Sequence, residues 1–258
     1  GMAMGLNFAT GWWNELHNRL FGTHIWLGTV GWFGLLITGF SYKMLPMFYL
    51  AHHYPTALQK VVLLLWNAGV MVGAVSLLLD GNVWTKWFAL LLITIAVVVY
   101  NVHIVQIRKY RHKRSPGSGI RWSMYGNHAF AVAAVAITAY SLWNPQHLFL
   151  AKSVKTAGWI YLAGWVSFMI VCYLSKIVPF LWWTYKYGKR AGTPGTPVMS
   201  DLLSEKKVNA GLAAIAVFSL VPLAGLIFDS HLAVAAGGAA YSVFSIAYMV
   251  LIGLVFSR

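Results

Sequence analysis

Only five acidic residues stand against nineteen lysines and arginines in this 258-residue chain. Asp80 and Asp229 close apolar segments in DG and DS turns, Glu15 reads as interfacial, and Asp201 and Glu205 fall in a linker. With no carboxylate in the middle of an apolar run, proton relays or sodium-coupled sites at mid-membrane depth are not expected. Cysteine is nearly absent too. The single Cys172 excludes an intramolecular disulfide and any cysteine-based metal cluster, and packing is its expected role. Charged residues make up 9% of the chain and hydrophobic residues 59%, which removes the water-soluble globular class.

What remains is long apolar runs. Seven can be drawn, at about 21–49, 58–79, 84–107, 124–143, 156–185, 208–228 and 231–256. They are continuous rather than alternating, and they reach the roughly 20 residues that a helical bilayer crossing needs. The predicted fold is therefore all-α: a polytopic membrane helical bundle of about seven transmembrane helices in a single membrane domain, 1–258. Residues 1–20, with Trp12, Trp13 and Leu16 among polar groups, read as a short interfacial helix.

The net charge of +14 raises the possibility of nucleic-acid binding, but the basic residues are gathered in two connections rather than spread over a face. One is RKYRHKR with Arg121. The other runs from Lys186 to Lys207 through AGTPGTP. Seven alternating spans put both on one side, and the positive-inside rule makes that side cytoplasmic. Lipid headgroups then account for the charge, with no nucleic acid involved. A bacterial cytoplasmic membrane is the expected location.

An internal echo organises the chain. HIWLGTVGWFGLLITGFSYKMLPMF, from His24, returns as WIYLAGWVSFMIVCYLSKIVPFL, from Trp159. Gly31-Trp32 aligns with Gly164-Trp165, Lys43 with Lys176 and Pro46 with Pro179, each pair 133 residues apart. Repeat units of about 21–107 and 156–256, linked by a helix at 124–143, are predicted. Lys43 and Lys176 are expected to snorkel to the inner headgroups, or to contact an anion or quinone headgroup. Pro46 and Pro179 are expected to kink or end their helices.

Histidines are the residues capable of chemistry, and the topology sorts them by side. His17, His24, His147 and His231 belong to the outer half; His52, His53, His103, His112 and His128 belong to the inner half. His24 and His231 each open a span at one level. Two neutral imidazoles from two helices are what a low-spin b-type heme needs above and below its iron. Gly28, Gly31, Gly237 and Gly238 would let a flat macrocycle approach backbone, although the glycine pair serves equally well as a packing seam. His103 and His128 form a second, weaker candidate pair, for a second possible heme, beside basic residues suited to its propionates.

His24, Gly31, Trp32, Gly39, Tyr42 and Pro46 together resemble the second transmembrane helix of the heme-copper oxidase subunit I superfamily, which includes cytochrome oxidases and nitric oxide reductases. That resemblance implies that His24 is an axial ligand of a low-spin heme. The chain departs from the superfamily in having no intramembrane His-His pair and no His-x-His helix, so a complete oxygen reductase is not implied. The expected activity is electron transfer, or binding of a diatomic gas such as NO or O2, by a reduced relative whose partner is a quinol or a separate redox protein. Two other classes stay open. A cofactor-free transporter would use Pro222, Asn67 and Asn209 to mark a path, and a membrane assembly subunit would use its tryptophan-rich ends as anchors.

Overall fold

The computed structural model describes residues 1–257. Apart from an isolated antiparallel bridge between Ala51 and Arg111, the described residues are helices and their connections. Helix α1 (Met2–Thr10) stops at Gly11, whose φ of +68° lies in the left-handed region that ends helices. Then follow α2 (Asn14–Tyr49), α3 (Ala57–Leu78), α4 (Val83–Lys109), α5 (Ser118–Trp143), α6 (Ala151–Arg190), α7 (Glu205–Ile227) and α8 (His231–Gly253).

Six of these helices, α2, α3, α4, α6, α7 and α8, are long and apolar enough to cross a membrane. The seven apolar runs read from sequence are thus six by this measure. The exception is α5. Its 26 residues span about 39 Å, enough for a bilayer, but Arg121 and the Gly126-Asn127-His128 stretch dilute its apolarity. Large apolar side chains such as Leu64, Val132 and Ile246 point away from the chain, as lipid contact requires.

Two compact units can be distinguished: Gly1–His112 with Ala131–Leu150, and Lys113–Phe130 with Ala151–Arg258. The division falls inside α5. In the first unit α3 and α4 form a helical hairpin. The turn is set by Asp80 at φ +51° and by Asn82, whose side chain caps α4 by accepting the Thr85 N–H at 3.0 Å. Helix α2 lies against this hairpin. The Trp26 indole donates to the Val70 carbonyl at 3.0 Å, and Arg19 pairs with Asp80 at 3.3 Å. The second half of α5 joins through Thr94–Thr138 and Trp87–Ser141 hydrogen bonds.

The second unit also contains a hairpin with a long helix against it. Its hairpin is α7 and α8, turned at Asp229 (φ +56°) and capped by Ser230, whose hydroxyl accepts the Ala233 N–H. Helix α6 lies against it, with the Trp159 indole donating to the Ser219 carbonyl at 2.9 Å and Lys152 pairing with Asp229 at 2.5 Å. The core gathers Phe168, Cys172, Leu212, Ile215, Tyr248 and Ile252. The first half of α5 enters through Asn127, which accepts the buried Trp165 indole N–H at 2.8 Å, with Phe130 stacked on Trp165 at 4.4 Å.

Both long helices contain a π-helical stretch, Leu27–Phe33 in α2 and Ile160–Ser167 in α6. A π turn adds a residue to the usual hydrogen-bonded loop and takes carbonyls out of the regular ladder. In each case a side chain from the hairpin supplies a donor. The Trp66 indole takes the Val30 carbonyl at 2.8 Å, and the Tyr241 hydroxyl takes that of Ala163 at 3.2 Å. Pro46 and Pro179 end neither helix, since α2 runs on to a left-handed Leu50 (φ +51°) and α6 to Arg190.

Candidate functional site

His24 sits in α2 three residues before the π stretch, with its imidazole exposed and Nδ1 3.3 Å from the Gly1 amine. The backbone beside it is open on one side only. A β-carbon on Gly28 would meet nothing within 4 Å, whereas one on Gly31 would press on Val70 at 3.3 Å. His231 is the first residue of α8 and is likewise exposed. Gly238, two turns along, faces open space, but Gly237 is closed by Pro222 and Val221 at 2.7 Å. So Gly28 and Gly238 lie on open backbone, and Gly31 and Gly237 are helix-packing positions. His24 belongs to the first unit and His231 to the second.

The inner candidates are less available. His103 is completely buried in α4, and its Nε2 lies 2.8 Å from the Pro55 carbonyl, an acceptor, so Nε2 carries the proton. The remaining lone pair, on Nδ1, is buried without a hydrogen-bond partner. The rings of Tyr42 and Tyr54 pack on this imidazole with centroids at 5.2 and 6.1 Å, and the Tyr42 hydroxyl and Gln106 Oε1 are also buried without partners. A structural histidine under aromatic cover fits these contacts. His128, on the first half of α5, is half-buried in the second unit. Among the described residues no group of three or more His, Cys, Asp or Glu could hold a metal ion.

The transport candidates make helix contacts. Asn67 donates to the Leu63 carbonyl of its own helix at 2.8 Å, Asn209 accepts the Trp122 indole N–H at 3.0 Å, and Pro222 packs on Gly237. Lys176 does not simply snorkel: its ammonium is paired with Glu205, the first residue of α7. Glu205 also accepts the Ser118 backbone N–H at 2.6 Å, so one carboxylate ties together α6, α7 and the start of α5. In the sequence Glu205 falls in a linker, and no local signal links it to partners 29 and 87 residues away. Lys43, the equivalent lysine of α2, makes no ion pair among the described residues.

Comparison with known proteins finds no matching family model, no matching curated protein and no matching solved structure.

Proposed function

We propose that this chain is a multi-pass membrane protein that binds heme b through His24. In this reading it is a reduced relative of heme-copper oxidase subunit I, serving electron transfer or diatomic gas binding without a dinuclear oxygen-reducing centre. The observation that carries the reading is the exposed His24 imidazole with open backbone at Gly28 one turn further on. When bound, the heme would supply an iron that cycles between two oxidation states or takes a gas ligand. The chain's own contribution is an imidazole nitrogen and a glycine face with no side chain in the way. A quinol or a separate redox protein is the partner.

The same reading takes the two units as copies of one three-helix element. Arg19–Asp80 and Lys152–Asp229 support it, as do Trp26–Val70 and Trp159–Ser219. The members from the long helices are 133 residues apart and those from the hairpins 149 apart. It also takes α5 as a seventh crossing and places the basic connections on the cytoplasmic face of a bacterial membrane.

An absorption spectrum tests the heme assignment. Protein purified in detergent after expression with ample heme should show a Soret band that shifts on dithionite reduction, and His24→Ala should lose it. Colourless wild-type protein, or a His24→Ala variant with the full spectrum, overturns the assignment.

A further inference from the structure

Within the second unit a cleft of about 300 Å³ opens where the start of α5 meets the second half of α6 and the start of α7. Its charged lining is Lys113, Arg121, Lys176 and Glu205. Lys176 and Glu205 cancel each other as an ion pair, with the lysine side chain only 13% exposed. Lys113 and Arg121 are left over. Lys113 makes no ion pair among the described residues, and Arg121 is steadied by a 3.2 Å hydrogen bond to the Ser118 hydroxyl. A guanidinium has five N–H donors, so most of Arg121's remain for a ligand. The Ser115 and Ser200 hydroxyls add neutral donors, and Pro179, Leu203 and Val208 make an apolar wall.

We propose that this cleft binds a terminal phosphate, either as a monoester headgroup or as the free ion. The surplus charge of Lys113 and Arg121 is two positive units, and a phosphate monoester carries about −1.5 to −2 near pH 7. Its oxygens accept hydrogen bonds without offering any at full ionisation, which matches a lining whose spare groups are donors. The Lys176–Glu205 pair holds the floor in place and keeps the site from being uniformly cationic. Gly117 is required for this arrangement. It has φ +103°, and a β-carbon there would collide with the Lys176 ammonium and the Glu205 carboxylate. The same chemistry is offered by the headgroup of phosphatidic acid and by inorganic phosphate. The proposal does not depend on heme.

The test is native mass spectrometry and calorimetric titration of the delipidated full chain in detergent. One arm uses short-chain phosphatidic acid, with phosphatidylcholine as its neutral comparison; the other uses inorganic phosphate. Each basic residue is worth roughly a factor of five, so Lys113→Gln/Arg121→Gln should weaken phosphatidic acid binding about 30-fold. Lys60→Gln/Lys109→Gln removes the same charge from the first unit and should change it little. Tight phosphatidic acid binding with weak inorganic phosphate binding supports a lipid ligand. Equal affinity for both supports free phosphate. Binding of neither, or equal losses in the two double variants, overturns the proposal, and melting temperatures matching wild type exclude misfolding as the cause of a loss.

Discussion

The Trp66 indole N–H donates to the carbonyl of Val30 at 2.8 Å, inside the π-helical stretch of α2, while the ring lies against Gly34. The bond adds a side-chain donor to a carbonyl within the π stretch, and a hydrogen bond of this kind contributes about 0.5–1.5 kcal/mol. Trp66→Phe should therefore lower stability by about that amount in denaturant unfolding of the detergent-solubilised protein. Tyr241→Phe, which removes the longer bond to Ala163, should cost less.

The glycines divide into packed and open helix positions. A β-carbon on Gly34 would collide with the fully buried Trp66 ring, so Gly34→Ala should destabilise by about 1–3 kcal/mol, the range for overpacked interiors. Gly28 and Gly238 face open space in helices, where alanine is the better helix former by about 0.5–1 kcal/mol. Gly28→Ala and Gly238→Ala should keep or raise the melting temperature. If a flat ring seats against either backbone, the same variant loses pigment without losing stability.

Ion pairs rank by burial. Asp80 is held by Arg19 and Lys86, but its side chain is 58% exposed, and exposed pairs contribute at most about 1 kcal/mol. Glu205 additionally accepts a backbone N–H from Ser118, and Lys176 is largely shielded. A double-mutant cycle with Lys176→Met and Glu205→Gln should show coupling that resists added salt. The Arg19–Asp80 cycle should show a smaller term that fades as salt screens it.

Helix positions were legible because a continuous apolar run of bilayer length has few alternatives to a helix. The ends were not. Helix α2 begins at Asn14 rather than near 21, and α6 runs from Ala151 to Arg190 rather than from 156 to 185, because polar turns continue the backbone ladder past the apolar run. Asp80 and Asp229 read correctly as turn residues, since left-handed backbone at a helix end selects Asp, Asn or Gly. The glycines were harder. Gly31 and Gly28 look alike in sequence, and only the position of Val70 makes one a packing surface and the other an open face. The Lys176–Glu205 pair and the division inside α5 depend on contacts far apart in the chain, which periodicity does not encode.

Whether α5 crosses decides the sidedness of everything after it, and Cys172 makes that measurable. Being completely buried, Cys172 should stay unlabelled by a membrane-impermeant maleimide in intact cells, so single introduced cysteines can be read against a blank. His112→Cys and Ala191→Cys lie at exposed positions in the two basic connections, and Gln146→Cys lies at an exposed position just after α5. If α5 crosses, the basic connections share one side and Gln146 lies on the other. By the positive-inside rule only Gln146→Cys then labels in intact cells, and the other two label after permeabilisation. If α5 stays at the surface, Gln146→Cys and His112→Cys behave alike and Ala191→Cys opposes them. That outcome would leave six crossings and put the 186–207 connection on the opposite side from the RKYRHKR cluster.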